Sequence, residues 1–184
     1  MSVPAASSSA PATDADLVRA YRSGDERGAT ELVGRHAVAV ARFLGAAGAD
    51  GGDIDDLVQD TFIRAFRALD GWRGEAAFRS WLMTIASNLL KDQYRRARGR
   101  RLVPIEENDL QAHDDPAASL DARETERRLQ QGLGTLPRLQ REVFLLRAQQ
   151  GLDYDEIARA LGTTPGAARV HYHHAVKRLK ELVA

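Results

Sequence analysis

Apolar residues along this chain recur at three- and four-residue intervals and almost nowhere at every second position. That periodicity predicts helices and no strands. On a wheel turned by about 100° per residue, Leu57, Val58, Thr61, Phe62, Ala65 and Leu69 fall on one stripe. Asp56, Gln59, Asp60, Ile63 and Arg67 occupy the opposite face. From about Phe78 a second helix lines Trp81, Leu82, Ile85, Ala86 and Leu89 toward a core, with Thr84, Ser87, Asn88, Lys91 and Arg95 along another face. Further on, Leu136, Leu139, Val143, Leu146 and Ile157 supply a compact helical core. A last helix starting at Pro165 stripes Ala168, Tyr172, Ala175, Val176 and Leu179 on one side. Amphipathic stripes of this width belong to helices packed on a domain.

Breakers divide these helices. The stretch "GAAGADGGD" predicts a loop, and the glycines around Trp72 and Arg73 predict another. "VPIEENDLQAHDDPAAS" is acidic, carries prolines and has few large apolar residues, so it reads as a flexible linker. The expected organisation is a disordered tail over 1–13, a helical domain over 14–102, the linker over 103–119 and a second helical domain over 120–184. The fold class is therefore all-α, two small helical domains joined by a flexible acidic linker. Near the end, Asp153 or Asp155 can cap a short helix carrying Ile157, Ala158 and Leu161, and Gly162 stops it. Thr163 or Thr164 caps the next, with Pro165 in its first position. Helix, glycine turn and helix in that order make a helix-turn-helix.

Composition narrows the chemistry. The 184 residues include no cysteine, which excludes disulfides, thiol catalysis and cysteine-ligated zinc and is compatible with a reducing cytoplasm. No apolar run reaches membrane-spanning length, so no membrane insertion is expected, and the start lacks the basic and apolar regions of a signal peptide. The net charge is zero, but its distribution is uneven. Residues 14–102 hold 15 basic and 13 acidic side chains, 103–126 hold 1 and 8, and 127–184 hold 10 and 5. Two mildly basic blocks thus flank an acidic strip.

No glycine-rich phosphate loop, nucleophile–base pair or metal cluster stands out, so neither a catalytic residue nor a cofactor is expected. The candidate chemistry is on helix faces. Ile63 is apolar on an otherwise polar face, as a scattered surface residue or as a contact for a partner protein. The face with Asn88 and Lys91 combines short hydrogen-bonding groups with cations. It is either a solvated face or a surface for single-stranded nucleic acid. In "RVHYHHAVKRLK", His171 and His174 share a face, His173 lies on the flank and no third ligand is near, which argues against zinc. The remaining alternatives are a solvated face and a surface facing a DNA groove. In the second, Ala167 and Val170 touch a thymine methyl, imidazoles donate to base edges or phosphate, and Arg169, Lys177 and Arg178 hold phosphates.

"DDLVQDTFIRAFRALDGWRGEAAFRSWLMTIASNLLKDQYRR" resembles the second region of bacterial sigma factors, and "LPRLQREVFLLRAQQGLDYDEIARALGTTPGAARVHYHHAVKRLK" resembles their fourth. Both occur in order and at the separation of the small extracytoplasmic-function group of the sigma-70 family. The resemblance implies a factor that binds core RNA polymerase at its clamp and flap and directs promoter recognition and melting. It implies that Asp56, Gln59, Asp60, Ile63 and Arg67 grip the clamp. Thr84, Ser87, Asn88, Lys91, Asp92, Arg95 and Arg96 would read the minus-ten element, and the loop with Trp72 and Arg73 would capture a flipped-out base. Thr164, Ala167, Arg169, Val170, His171, His174, Lys177 and Arg178 would lie at the minus-thirty-five element. The acidic linker resembles the segment that threads the RNA exit path.

The recognition helix departs from the family in one place. Val170 and His171 stand where a small polar residue and an arginine are usual, and Tyr172 where an aliphatic residue is usual. The helix frame survives, but promoter preference does not carry over, and contacts through histidine are expected to be pH-sensitive. The sequence ends just after this helix, so regulation is expected from outside, by an anti-sigma factor. The rival reading is a free-standing helix-turn-helix DNA-binding regulator that needs no polymerase.

Overall fold

The computed structural model describes residues 11–100 and 120–183, with the side chains at 97–100, 120–126 and 183 excepted. The expected linker over 103–119 and most of the expected tail lie outside the described residues. Eight α-helices and no strand occur among the described residues: α1 (Asp14–Arg22), α2 (Glu26–Ala47), α3 (Ile54–Ala68), α4 (Phe78–Arg100), α5 (Leu120–Gly134), α6 (Arg138–Phe144), α7 (Tyr154–Leu161) and α8 (Pro165–Val183). The all-helical class expected from the periodicity is what the chain adopts.

Local chemistry sets most boundaries. The Thr13 hydroxyl accepts from the Asp16 amide at 3.2 Å while the Asp16 carboxylate takes the Thr13 amide at 2.9 Å, a reciprocal cap that starts α1. Asp153 and Glu156 repeat that device at α7. Gly162 ends α7 at φ 66°, and the Thr164 hydroxyl accepts the Ala167 amide at 3.2 Å to open α8. Of the capping alternatives, Asp153 and Thr164 are the ones used. One boundary differs from expectation. The glycine-rich stretch read as a loop is helical as far as Ala47, because its alanines favour helix and Gly45 packs close to Ile54. α2 stops only at Gly48, at φ 100°.

In the first block, α1 to α4 enclose Val18, Leu32, Val40, Phe43, Phe62, Phe78, Leu82 and Leu90. α1 crosses α2 so closely that a Cβ at Gly28 would stand 2.5 Å from the Leu17 carbonyl oxygen. In the second block, Leu133, Leu136, Val143, Leu146, Leu152 and Ile157 form the floor under α8. α6 runs into one wide turn of π-helix, Leu145–Gln149, before the helix-turn-helix.

The two blocks touch. Arg79 of α4 donates from Nε and Nη2 to the Gln150 side-chain oxygen at 3.1 and 2.6 Å. The Arg138 guanidinium of α6 lies over the Tyr94 ring, 5.5 Å from its centroid. Arg141 binds the last carbonyls around α5, Leu133 at 2.7 Å and Gly134 at 2.8 Å, and reaches the Ala47 carbonyl of the first block at 3.4 Å. These polar contacts accompany apolar packing, since one buried apolar cluster includes residues of both blocks.

Candidate polymerase and promoter interfaces

The α3 face stands clear of the core. Leu57, Thr61, Phe62 and Ala65 are buried, whereas Asp56, Gln59, Asp60, Ile63 and Arg67 are all exposed, Ile63 to 39%. Four polar side chains around one accessible isoleucine form a small patch with an apolar centre and a polar rim. Protein–protein contacts are built that way.

On α4 the expected reading face divides. Asn88, Lys91, Arg95 and Arg96 are exposed. Asp92 is partly buried, with Arg95 at 3.4 Å and Arg64 of α3 at 3.9 Å. The Thr84 hydroxyl donates to the Ser80 carbonyl one turn back, at 3.1 Å. Ser87 does not belong to an open surface in this state. It is 2% exposed and lies near the buried Glu142 carboxyl of α6.

Glu142 is the group that sequence reasoning missed. It is 2% exposed, and burial holds its carboxyl above the usual range, opposed by Arg138, the Ser87 hydroxyl, Arg141 and Lys91. Arg138 Nη1 stands 3.1 Å from Glu142 Oε1 as an ion pair without hydrogen-bond geometry. A buried carboxylate so incompletely satisfied adds little net stability to the contact that buries it. Only its i,i+4 spacing from Arg138 was visible in the sequence, and that spacing is common on solvated helices.

Trp72, expected in the base-capturing loop, is buried. Its indole is 8% exposed, stands edge-on to Phe78 at 5.7 Å and donates its N–H to the Ala76 carbonyl at 3.1 Å. Its ring is a core group of this loop. Arg73 at the exposed tip remains available.

The outer face of α8 is open. Thr164, Arg169, Val170, His174, Lys177 and Arg178 are exposed, Val170 to 52%, and Ala167 and His171 are partly covered. His174, Lys177 and Arg178 border one concavity together with Gln140 and Glu181. His173 and His174 have ring centroids 6.3 Å apart, and among the described residues no group of histidines and carboxylates converges as a metal site would. Tyr172, the unusual residue on the core stripe, stacks on Phe144 at 6.0 Å and meets Tyr154 edge-on at 6.3 Å. Arg169 and Arg147 both lie over the Tyr154 ring at 5.1 Å. Two cations on one aromatic ring fix where Arg169 leaves the helix.

Comparison with known proteins follows the same division. Residues 32–100 match the family model for Sigma-70 region 2, and residues 126–179 match that for Sigma-70, region 4. The RNA polymerase sigma factor CnrH of Cupriavidus metallidurans is 36% identical over 181 residues, which cover 92% of this chain and 95% of the relative. The ECF RNA polymerase sigma-E factor of Escherichia coli strain K12 is 32% identical over 168 residues, 85% of this chain and 87% of the relative. Among solved structures, CnrH in complex with the cytosolic domain of CnrY superposes with a TM-score of 0.66 at 31% identity, covering 92% of this chain and 96% of that one. The sigma factor RpoE in complex with the anti-sigma factor NepR from Bartonella quintana gives 0.71 at 27% identity, covering 84% and 95%. Similarity that spans both blocks supports a sigma factor over a free-standing regulator, which needs only the second block.

Proposed function

The chain belongs to the extracytoplasmic-function RNA polymerase sigma factors of the sigma-70 family, and from that premise we propose how its two helical blocks divide the work of promoter selection. The first block, residues 14–102, binds the polymerase clamp through Asp56, Gln59, Asp60, Ile63 and Arg67. It reads the minus-ten element with Asn88, Lys91, Arg95 and Arg96 on α4 and with the loop tip at Arg73. The second block, residues 120–184, docks at the flap and lays α8 in the major groove of the minus-thirty-five element. There Lys177, Arg178 and Arg169 hold phosphates, and Val170, His171 and His174 face base edges.

The observation that carries this reading is the presence of both matched segments, in order, over nearly the full length of relatives named as RNA polymerase sigma factors. The mechanism is differential binding, with no covalent step. Polymerase holds both blocks at a fixed spacing, so contact by one raises the effective concentration of the other at its element. Capturing an unstacked base offsets an unpairing cost of a few kcal/mol. The protein then works in the cytoplasm, where polymerase and promoter DNA are. Among the described residues no helix is long and apolar enough to cross a membrane. Two similar sigma factors are known in complexes, with the cytosolic domain of CnrY and with the anti-sigma factor NepR. An anti-sigma factor is the corresponding partner here.

Run-off transcription from genomic fragments by bacterial core polymerase, with and without the protein, tests the reading. Start sites that need the protein and disappear with Asp60→Ala or Asn88→Ala are expected. Tight binding to a duplex site without polymerase, and no effect on polymerase, would replace it with the free-standing regulator.

A further inference from the structure

The last residue of α1 crosses to the turn that follows α3. The Arg22 guanidinium donates from Nη2 to the Leu69 carbonyl and, at 2.8 Å, to the Trp72 carbonyl. Its Nε lies 4.0 Å from the Asp70 carboxylate, and its side chain is 35% exposed. Leu69 and Trp72 bracket a single 3₁₀ turn, Leu69–Gly71, closed by the Trp72 amide on the Leu69 carbonyl at 2.9 Å. Beyond it, the indole N–H on the Ala76 carbonyl ties the far side of the loop back to the same residue. The segment between, Arg73, Gly74 and Glu75, is exposed, with Gly74 at φ 77°. The tip that faces outward is therefore carried by Trp72, and the Trp72 backbone is held by Arg22. Tyr21 beside it packs on Phe66 of α3 at 5.1 Å, which sets how far α1 stands from this turn.

We propose that Arg22 is the positioning residue of the base-capturing loop: by bridging the Leu69 and Trp72 carbonyls from α1, it sets the height of the Arg73–Glu75 tip beside α4. This rests on reading that loop as part of the minus-ten interface. Arg22 itself touches no base. A charged donor shared by two carbonyls is a stronger tether than a neutral one, and its loss leaves the tip anchored on the 3₁₀ turn and the indole. The cost falls on capture, which needs the tip in place before the base arrives. It does not fall on the exposed α3 face or on α8, which lie outside this turn.

The test uses the full chain bound to core polymerase on a promoter with a fluorescent base analogue at each minus-ten position in turn. The wild-type chain is expected to give a rise at the captured position. Arg22→Ala should lower open-complex formation and that rise by about tenfold, the scale of one charge-assisted hydrogen bond. Its affinity for core polymerase and for minus-thirty-five duplex should stay at the wild-type level. Arg22→Lys, which keeps a cation able to donate to both carbonyls, should recover part of the signal. A full signal from Arg22→Ala overturns the proposal. So does a parallel fall in core-polymerase affinity and thermal midpoint, because Arg22 would then support only the fold. A wild-type chain silent at every position would instead overturn the promoter reading on which the proposal rests.

Discussion

The two helices assigned to promoter DNA are presented in opposite ways. α8 turns its reading face outward, with Val170 52% exposed and His174, Lys177 and Arg178 beside it in the open. α4 turns part of its face inward: Ser87 is 2% exposed near Glu142, and Arg79 and Tyr94 are engaged by the second block. A duplex can approach α8 as it stands. On the proposed reading, a melted strand reaches the middle of α4 only after the second block moves aside. That order suits a factor that finds duplex first and captures single-stranded bases later, on polymerase.

The contrast breaks most completely if α8 loses its floor. Leu146 is fully buried under the helix-turn-helix, and Leu146→Ala should cost about 2–5 kcal/mol in the second block. Calorimetry should then show that block melting earlier while the first keeps its transition, and duplex binding should fall away. A smaller effect is expected from Lys177→Ala combined with Arg178→Ala. Affinity for minus-thirty-five duplex should drop, and the dependence of log affinity on log salt should flatten by about one unit per residue. Asp153→Ala removes the reciprocal cap on α7 and should cost about 1 kcal/mol, read as a lower melting midpoint of the second block.

The smallest effect sharpens the α4 side. Burial raises the Glu142 carboxyl above its ordinary value near 4.5, so the buried state binds the proton more tightly than the open state. The contribution of this group to the contact is therefore complete below that value and is lost as pH rises through the raised one. The free protein should become more extended as pH rises, seen as a growing radius of gyration. Glu142→Gln should stay compact and lose that pH dependence.

Much of this was legible because it is local. Leu57, Phe62 and Ala65 on α3, Ala168, Ala175 and Leu179 on α8, and the stops and caps at Gly162, Thr164 and Asp153 follow from periodicity and from side chains reaching backbone a few residues away. What was not legible depends on partners far along the chain. Trp72 falls in a loop that the resemblance assigns to base capture, and only its packing on Phe78 and its bond to Ala76 show it to be buried. Ser87 has the spacing of an exposed face and is buried near a glutamate from another helix. Arg22 gives no periodic signal, because its partners are two carbonyls in the turn after α3. The glycine-rich stretch misled for a local reason, since its alanines carry α2 on to Ala47.

The absence of cysteine allows one direct measurement. Ser87→Cys and Val170→Cys each introduce a single thiol, whose alkylation is followed by mass spectrometry of the labelled peptide. The account predicts slow labelling at 87 and fast labelling at 170 in the free protein. Core polymerase should accelerate labelling at 87, and promoter DNA should then protect it. Labelling at 87 as fast as at 170 in the free protein, unchanged by polymerase, would contradict the claim that one reader stands open while the other waits to be uncovered.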